Sequence, residues 1–305
     1  MRVRVGFGIR GDKAPMLAVI GTYPRKDFPL VFGKIAMEDE RICIQGERIP
    51  VNRGTPALMA AALRTAEALG QPAPFGYLVG DIGQGKGSRL LYDHLTHNLP
   101  QTGFSTLTFH YLQPIVHWHD RVLSAIERIS KRPVLIADAG YMYMAKMSGH
   151  APAYDLFTPD VGELAFLADE KAPHPLYTRG FILHEENKVP DLINRAYANK
   201  NASRFLLVKG VKDYVANREG ILGIIENPVT EALEAIGGTG DTLTGLVSAL
   251  IESGIEISEA ALIGAHANRL AGFLANPTPA TQVMEIIRQI PKALPEALDS
   301  RRGRK

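Results

Sequence analysis

The sequence predicts an α/β protein, specifically a three-layer α/β/α sandwich whose central sheet is mostly parallel. Strand-like and helix-like segments alternate along the 305 residues, which is typical of this class. Several strand segments are continuously apolar, as in MLAVIG (16–21), and such runs are typical of parallel strands covered on both faces. No low-complexity linker or fixed-period repeat divides the chain. We therefore expect a single domain over residues 1–305.

The first half of the chain supplies most of the predicted sheet. A helix is expected at 57–69, because this stretch is rich in Ala and Leu and is followed by Gly70. The other expected elements are strand 16–21, a hairpin arm within 35–44, strand 75–80, helix 88–98, strand 105–112, helix 115–130, strand 133–139 and a short strand at 155–159.

The second half repeats the alternation and ends in helices. The expected elements are a short helix at 161–168, a Pro-containing surface excursion at 170–188, helix 190–200, strand 204–210, hairpin strands at 214–217 and 221–226, and mostly helix after Gly237. In a parallel sheet of this kind, ligands bind at the carboxyl ends of the strands, beside helix N-termini.

Composition excludes several classes of protein. The net charge is only +2, which gives no electrostatic case for nucleic-acid binding, and the basic tail at 300–305 is interpreted as a solvated end. The single cysteine, Cys43, excludes an intramolecular disulfide framework and a Cys-based zinc cluster. No run of 18 apolar residues is present and no apolar segment follows Met1, so we expect neither a membrane span nor a signal peptide. A cytoplasmic location is expected.

The most informative segment is AIGGTGDTLTGLVSALIESG (235–254). Gly237, Gly238 and Gly240 permit a tight loop, and a helix with one apolar face is predicted to begin at about Asp241. The loop amides then lie at the positive end of the helix dipole, where a phosphate or a transferring phosphoryl group binds. Asp241 either deprotonates a hydroxyl that attacks phosphorus or only caps the helix, and the spacing does not separate the two.

GGTGDTLTG resembles the signature of the ribokinase-like superfamily. It is most similar to the YjeF-related, carbohydrate-kinase-like branch, the ADP- or ATP-dependent NAD(P)H-hydrate dehydratases. Other segments are similar to motifs of that branch in the same order, over about residues 50–275: VGDIGQGKGSR (79–89), VLIADAG (134–140), FTPDVGE (157–163), LLVKGVKDYVAN (206–217) and Asn227-Pro228. Residues 1–50 match poorly and form a divergent N-terminal part.

The resemblance implies a role for each matching residue. Asp241 would be the catalytic base, and the anion hole would be formed by the amides of Gly238, Thr239 and Gly240. The nucleotide would lie against Lys209, Gly210 and Asp213. Substrate contacts are expected from Gly80, Gly83, Asp138 and Asp160.

The FTPDVGE segment departs from the family. The family has a histidine where Asp160 stands, and superfamily kinases have N-x-x-E in this stretch. Asp160 and Glu163 form an acidic pair spaced by three, which suits Mg²⁺ held directly or through water by Glu163. The alternative for Asp160 is a favourable acidic residue at a helix N-terminus.

These implications favour ATP- or ADP-dependent dehydration of NAD(P)H hydrate through a phosphorylated intermediate. One alternative is a small-molecule kinase of the same superfamily, acting on a sugar or a vitamin alcohol. A second alternative is a nucleotide-binding sensor without catalysis. The expected cofactors are ATP or ADP with Mg²⁺. The expected partner is the small-molecule substrate, and the apolar faces of the C-terminal helices are compatible with a homo-oligomer.

Three further signals carry less weight. Residues 80–87 nearly spell a P-loop, but Gly87 replaces the hydroxyl residue that would bind magnesium. The G-x-G-x-G spacing of Gly83, Gly85 and Gly87 does not fit a dinucleotide-binding fingerprint either. Asn52-Arg53-Gly54 either contacts an anionic substrate or forms a simple turn.

The histidines and one asparagine are assigned structural roles. Solvated or capping roles are expected for His110, His117 and His119, rather than a metal site. Helix packing or surface exposure is expected for His266 and Asn268.

Overall fold

The structure is a computed structural model that describes residues 16–172 and 188–302. Its strands, numbered in chain order, are β1 (Leu17–Tyr23), β2 (Val31–Lys34), β3 (Ala36–Glu38), β4 (Arg41–Ile44), β5 (Glu47–Pro50), β6 (Phe75–Gly80), β7 (Thr106–His110), β8 (Val134–Asp138), β9 (Leu156–Phe157), β10 (Phe205–Val208), β11 (Asp213–Asn217) and β12 (Gly220–Ile225).

The helices are numbered in the same way. They are α1 (Thr55–Ala68), α2 (Lys86–Asn98), α3 (Val116–Glu127), α4 (Gly140–Met147), α5 (Val161–Ala168), α6 (Val189–Ala198), α7 (Thr239–Glu252), α8 (Ile257–Leu274), α9 (Val283–Ile287) and α10 (Ile290–Arg302).

Within the described residues, nine strands form one sheet in the order β12-β11-β10-β9-β8-β7-β1-β6-β2. The central strands β6, β1, β7, β8, β9 and β10 are mutually parallel. The edge strands β2 and β12, and β11 beside β12, pair antiparallel to their neighbours. The carboxyl ends of the central strands therefore meet at one edge of the sheet, which is where parallel sheets bind ligands.

Two apolar cores flank the sheet, as a three-layer sandwich requires. Alternate residues of β1 enter opposite cores, with Leu17 and Val19 on one side and Ala18 and Ile20 on the other. The first core is covered by α1, α7, α8, α9 and α10. The second core is covered by α2, α3, α4, α5 and α6. The predicted three-layer architecture with a mostly parallel sheet is confirmed.

The expected elements are present with small differences. Residues 35–44 form the predicted hairpin, in which β3 and β4 pair antiparallel, and it belongs to a separate sheet in the order β3-β4-β5. Sequence reasoning missed α4, because it follows Asp138 after only one residue, Ala139, whose φ of +50° turns the chain sharply. Helix α7 begins two residues before the predicted start. Most of the 170–188 excursion and residues 303–305 of the tail lie outside the described residues.

No helix in the described part of the chain is both long enough and apolar enough to cross a lipid bilayer.

Helices α1 and α7 approach very closely at Gly245. A Cβ built on Gly245 would lie 2.3 Å from the carbonyl oxygen of Leu58 and 3.0 Å from the Cβ of Ala61. The last glycine of the GGTGDTLTG motif thus allows α1 to pack against α7. This contact places the start of α1 beside the start of α7.

We expect Gly245→Ala to destabilise the protein by about 1–3 kcal/mol, because the added methyl group meets a main-chain carbonyl that cannot move aside. Gly272→Ala, in helix α8, is the matched control, since its Cβ would meet the tip of the Leu233 side chain. Urea unfolding should give a clearly larger loss for Gly245→Ala. Equal losses for both variants would contradict the close approach of the two backbones.

Candidate active site

Ionisable side chains from four parts of the chain converge at the carboxyl edge of the sheet. His110 ends β7 and Asp138 ends β8. Lys209 directly follows β10, and Asp241 lies in the first turn of α7. One ligand atom from each of His110, Asp138 and Asp241 lies within 4.8 Å of the others.

The Asp241 carboxylate is held by two donors from different parts of the chain. The main-chain amide of Gly54 donates to Oδ2 at 2.6 Å, and Nε2 of His110 lies 3.0 Å from Oδ1. The Asp241 side chain keeps 14% of its surface exposed. The carboxylate is therefore fixed in orientation without being sealed from a ligand.

These contacts set the protonation state of Asp241. Burial alone would raise the pKa of Asp241, but the hydrogen bond and charge of His110, the charge of Lys209 and the Gly54 amide outweigh it. The pKa of Asp241 lies below its ordinary value as a result. Asp241 is an ionised carboxylate at neutral pH and can accept a proton.

A buried ion pair adjoins Asp241. Lys209 Nζ lies 2.8 Å and 3.0 Å from the two oxygens of Asp138. Thr244 of α7 also donates to Asp138, at 2.6 Å. Burial alone would lower the pKa of Lys209, but the carboxylates of Asp138, Glu163 and Asp241 raise it above its usual value. Lys209 is therefore a permanent cation at the centre of the site.

The start of α7 forms the predicted glycine loop. Gly238 precedes the helix with a φ of +102°, a conformation that a side chain would strain. Arg53 packs against this loop: a Cβ built on Gly238 would lie only 3.1 Å from the Arg53 Cα. Asn268 donates to the carbonyl of Thr239 and accepts from Thr242, which confirms its helix-packing role.

Asp160 and Glu163 cap helix α5 reciprocally. The Glu163 amide donates to Asp160 at 2.7 Å, and the Asp160 amide donates to Glu163 at 2.8 Å. Tyr143 also donates to Glu163, at 3.2 Å. Burial and the neighbouring Asp160 carboxylate raise the pKa of Glu163 to about 8, against a smaller opposing effect of Lys209. Asp160 thus has the position of the alternative interpretation, an acidic residue at a helix N-terminus. Metal binding by this pair stays a prediction.

The predicted nucleotide-binding residues have structural partners. Lys209 forms the ion pair with Asp138 described above. Asp213 is buried and accepts from Arg269 Nε at 2.7 Å and from the Gly210 amide at 3.2 Å. Asp213 therefore holds the turn after β10 against α8, and contact of these three residues with a nucleotide stays a prediction.

In the loop that resembles a P-loop, the main-chain amides bind a carboxylate of the loop itself. Asp81 accepts hydrogen bonds from the amides of Gly83, Gly85 and Ser88 and from the Ser88 hydroxyl. These bonds lower the pKa of Asp81 against the opposing effect of burial. A side chain thus occupies the position that a phosphate takes in a true P-loop.

The two glycines predicted to touch substrate differ in their surroundings. A Cβ on Gly80 would lie 2.1 Å from the carbonyl oxygen of Arg25, so packing within the chain already requires a glycine there. Gly83 has a φ of +90° and open space at its Cβ position. Contact of either glycine with substrate stays a prediction.

The expectation of a solvated or capping role for His110 is wrong. His110 is fully buried at the end of a parallel strand and contacts Asp241. The available signal was its position at the end of a predicted buried strand, where parallel sheets bind ligands. His119 is buried against the hydroxyls of Tyr154 and Ser148, and His117 is exposed.

The cluster of His110, Asp138 and Asp241 has the donor types of a metal site. However, the Lys209 ammonium and the Thr244 hydroxyl already bind Asp138, and His110 and Gly54 already bind Asp241. The Lys209 ammonium already supplies the positive charge that a metal ion would bring to these carboxylates. We therefore assign no metal to these three residues.

We expect Lys209→Met to reduce the free energy of unfolding by about 3 kcal/mol or more, because it leaves the buried Asp138 carboxylate without a cation. Lys212→Met is the control, since Lys212 forms an exposed pair with Glu226 at 2.7 Å. Chemical unfolding should show little change for the control. Equal effects of the two substitutions would contradict a buried, structurally required pair.

Comparison with known proteins supports the resemblance. The sequence profile of the carbohydrate-kinase family described as NAD(P)H-hydrate dehydratase matches residues 117–292, more than half of the chain. An uncharacterised protein of Methanocaldococcus jannaschii is 43% identical over 242 residues, which cover 79% of this chain and all of that protein. The ADP-dependent (S)-NAD(P)H-hydrate dehydratase of Xanthomonas campestris is 25% identical over 98% of this chain and 97% of its own.

The fold agrees with these sequence relationships. A ribokinase-like superfamily protein of Enterococcus faecalis superimposes with a TM-score of 0.55 at 12% identity, covering 95% of this chain and 91% of that one. At this identity the likeness shows the fold alone, which is ribokinase-like. Because the profile matches more than half of the chain, including the stretch with Asp138, Lys209 and Asp241, the chain belongs to the NAD(P)H-hydrate dehydratase family of carbohydrate-kinase-like enzymes.

Proposed function

We propose that the protein catalyses the ATP- or ADP-dependent dehydration of NAD(P)H hydrate. Family membership and the name of the Xanthomonas relative support this substrate. The observation that carries the proposal is the position of Asp241, an ionised carboxylate in the first turn of α7, beside a helix N-terminus that can bind phosphate.

The start of α7 would bind the transferring phosphoryl group. The amides of Gly238, Thr239 and Gly240, predicted to form the anion hole, lie at the start of this helix and have no acceptor within it. The exposed Arg53 lies alongside, since a Cβ on Gly237 would be 3.5 Å from its Cδ. Arg53 adds a mobile positive charge to the fixed dipole of the helix.

Asp241 would act as the general base. Its carboxylate takes the proton of the substrate hydroxyl, whose oxygen attacks the terminal phosphorus while the bond to the bridging oxygen of the nucleotide breaks. In the second step the C–O bond of the hydrate breaks and phosphate leaves. Loss of a proton from the neighbouring carbon then restores the double bond of the reduced nicotinamide.

Asp160 and Glu163 fit the donor chemistry of Mg²⁺, which prefers carboxylate oxygens and water. The two acids stand close together, and burial and then repulsion from the Asp160 carboxylate raise the pKa of Glu163. A divalent cation would relieve that repulsion. Bound there, Mg²⁺ would offset the negative charge of the nucleotide phosphates.

The decisive assay incubates the full-length protein with NADH hydrate, Mg²⁺ and either ATP or ADP. We expect recovery of the absorbance of NADH together with release of free phosphate. Asp241→Asn should reduce this turnover by about 10²–10⁴-fold, because the general base is lost. Asp191→Asn, on the exposed face of α6, is the matched control and should keep full activity.

Other outcomes of this assay point to the alternatives. A stable phosphorylated product from a sugar or a vitamin alcohol, without recovery of NADH, would identify a small-molecule kinase. Nucleotide binding by calorimetry without turnover on any of these substrates would identify a sensor.

We expect Glu163→Gln to raise the Mg²⁺ concentration needed for half-maximal turnover by about 10-fold or more, because a charged oxygen ligand is lost. In the wild type the apparent Mg²⁺ affinity should rise from pH 6 to pH 9, since Glu163, with a pKa of about 8, must release its proton to bind a cation. Glu127→Gln, on the exposed side of α3, serves as control. An unchanged Mg²⁺ requirement in Glu163→Gln would exclude this pair as the metal site.

A further inference from the structure

A buried imidazole lies directly behind the carboxylate of Asp241. His110 has no exposed surface, and it bridges two groups: its Nε2 is 3.0 Å from Asp241 Oδ1, and its Nδ1 is 2.9 Å from the Thr55 hydroxyl. Thr55 is the first residue of α1, immediately after Gly54, which binds the other oxygen of Asp241. The start of α1 therefore holds Asp241 twice, once directly and once through His110.

The hydrogen bonds define which nitrogen carries a proton. An ionised carboxylate can only accept, so Nε2 of His110 must be the donor to Asp241. Nδ1 then either accepts from the Thr55 hydroxyl or, in the imidazolium form, donates to it. In both forms Nε2 keeps its proton.

The space for this arrangement comes from a glycine in β1. A Cβ on Gly21 would lie 2.4 Å from the Thr55 hydroxyl oxygen and 2.6 Å from the carbonyl oxygen of His110. Any larger residue at position 21 would push Thr55 and His110 apart. The contact is thus built into three elements: β1, β7 and α1.

The charged and titratable groups around the pair are few and fixed. Asp138 Oδ2 lies 4.0 Å from His110 Nε2, and Lys209 offsets the charge of Asp138 at 2.8 Å. The ring of Tyr111 meets the imidazole edge-on, with 4.2 Å between ring centres. Because water is excluded at His110, its hydrogen bond to Asp241 is stronger than an exposed one would be.

We propose that His110 is a positioning residue for the general base: it donates a hydrogen bond to Asp241 throughout turnover and orients its carboxylate toward the substrate hydroxyl, while Thr55 holds the imidazole in place. Its part in turnover rests on the proposed function. Each carboxylate oxygen has two lone pairs, so one remains free on each oxygen after the bonds from His110 and Gly54. The substrate proton goes to one of these free lone pairs, and His110 keeps its own proton.

The first test uses three variants in the complete protein with nucleotide, Mg²⁺ and NADH hydrate. His110→Leu removes the donor and should reduce kcat by about 10²-fold, with little change in the KM for nucleotide, because the base is no longer held in place. His110→Gln keeps an N–H donor and should restore part of the loss. Thr55→Val keeps the imidazole but removes its tether, and should give an intermediate loss.

The pH profile separates positioning from a merely structural role. Without His110 the pKa of Asp241 rises, so the acid limb of kcat/KM should move to higher pH by about one unit in His110→Leu. The shift should be smaller in His110→Gln. A variant that only lowers the folded fraction would reduce the rate equally at every pH, and that result would overturn the proposal.

A second test needs no substrate. In wild-type protein labelled with ¹⁵N-histidine, the imidazole signal perturbed by Asp241→Asn should show a protonated Nε2. A signal with its proton on Nδ1 and a bare Nε2 would overturn the proposal. Titration of the ¹³C-labelled carboxyl carbon of Asp241 should give a lower pKa in the wild type than in His110→Gln, and equal values would overturn it as well.

The two proposals can fail separately. A wild type that never dehydrates NADH hydrate ends the proposed function, while the NMR measurements still decide whether His110 orients and ionises Asp241. An active wild type whose acid limb does not move in His110→Leu ends the role of His110 and leaves the proposed function in place.

Discussion

The ion pair between Lys209 and Asp138 is the interaction on which the site depends. The carboxylates of Asp138, Asp241 and Glu163 all raise the pKa of Lys209. Without this cation the three carboxylates would repel one another. Lys209 reaches them because β8 and β10 are separated only by the two-residue strand β9. Thr244 then ties the same carboxylate to α7. One largely buried cation thereby links two strands of the sheet with α7, the helix that carries Asp241.

Two glycine-rich loops of the chain precede helices, but they differ in what occupies their amides. At the start of α2 the amides of Gly83, Gly85 and Ser88 donate to Asp81. A carboxylate of the chain itself therefore takes the place of a bound anion at that helix. At the start of α7 the Asp241 side chain turns away to Gly54 and His110 instead of capping the first turn. The first amides of α7 therefore donate no hydrogen bond to a capping side chain, and Arg53 is a positive group beside them.

The position of Asp241 depends on a contact between helices that lie far apart in the sequence. Gly245 allows the backbone of α1 to approach α7, and the start of α1 supplies both Gly54 and Thr55. Gly21 in β1 leaves the space in which Thr55 meets His110. Through these close approaches the two glycines determine where the Asp241 carboxylate points.

The sequence by itself determined the layered architecture and singled out Asp241. Apolar strand runs and the GGTGDTLTG motif are local patterns, and a local pattern can be recognised in one stretch of chain. Tertiary structure alone decided the partners of that acid: the amide of Gly54 and the imidazole of His110 lie 187 and 131 residues from Asp241 along the chain. It also decided that Asp81 accepts hydrogen bonds from the amides of its own loop and that Lys209 pairs with Asp138. Such pairings depend on strand order and helix packing, which no spacing between neighbouring residues encodes.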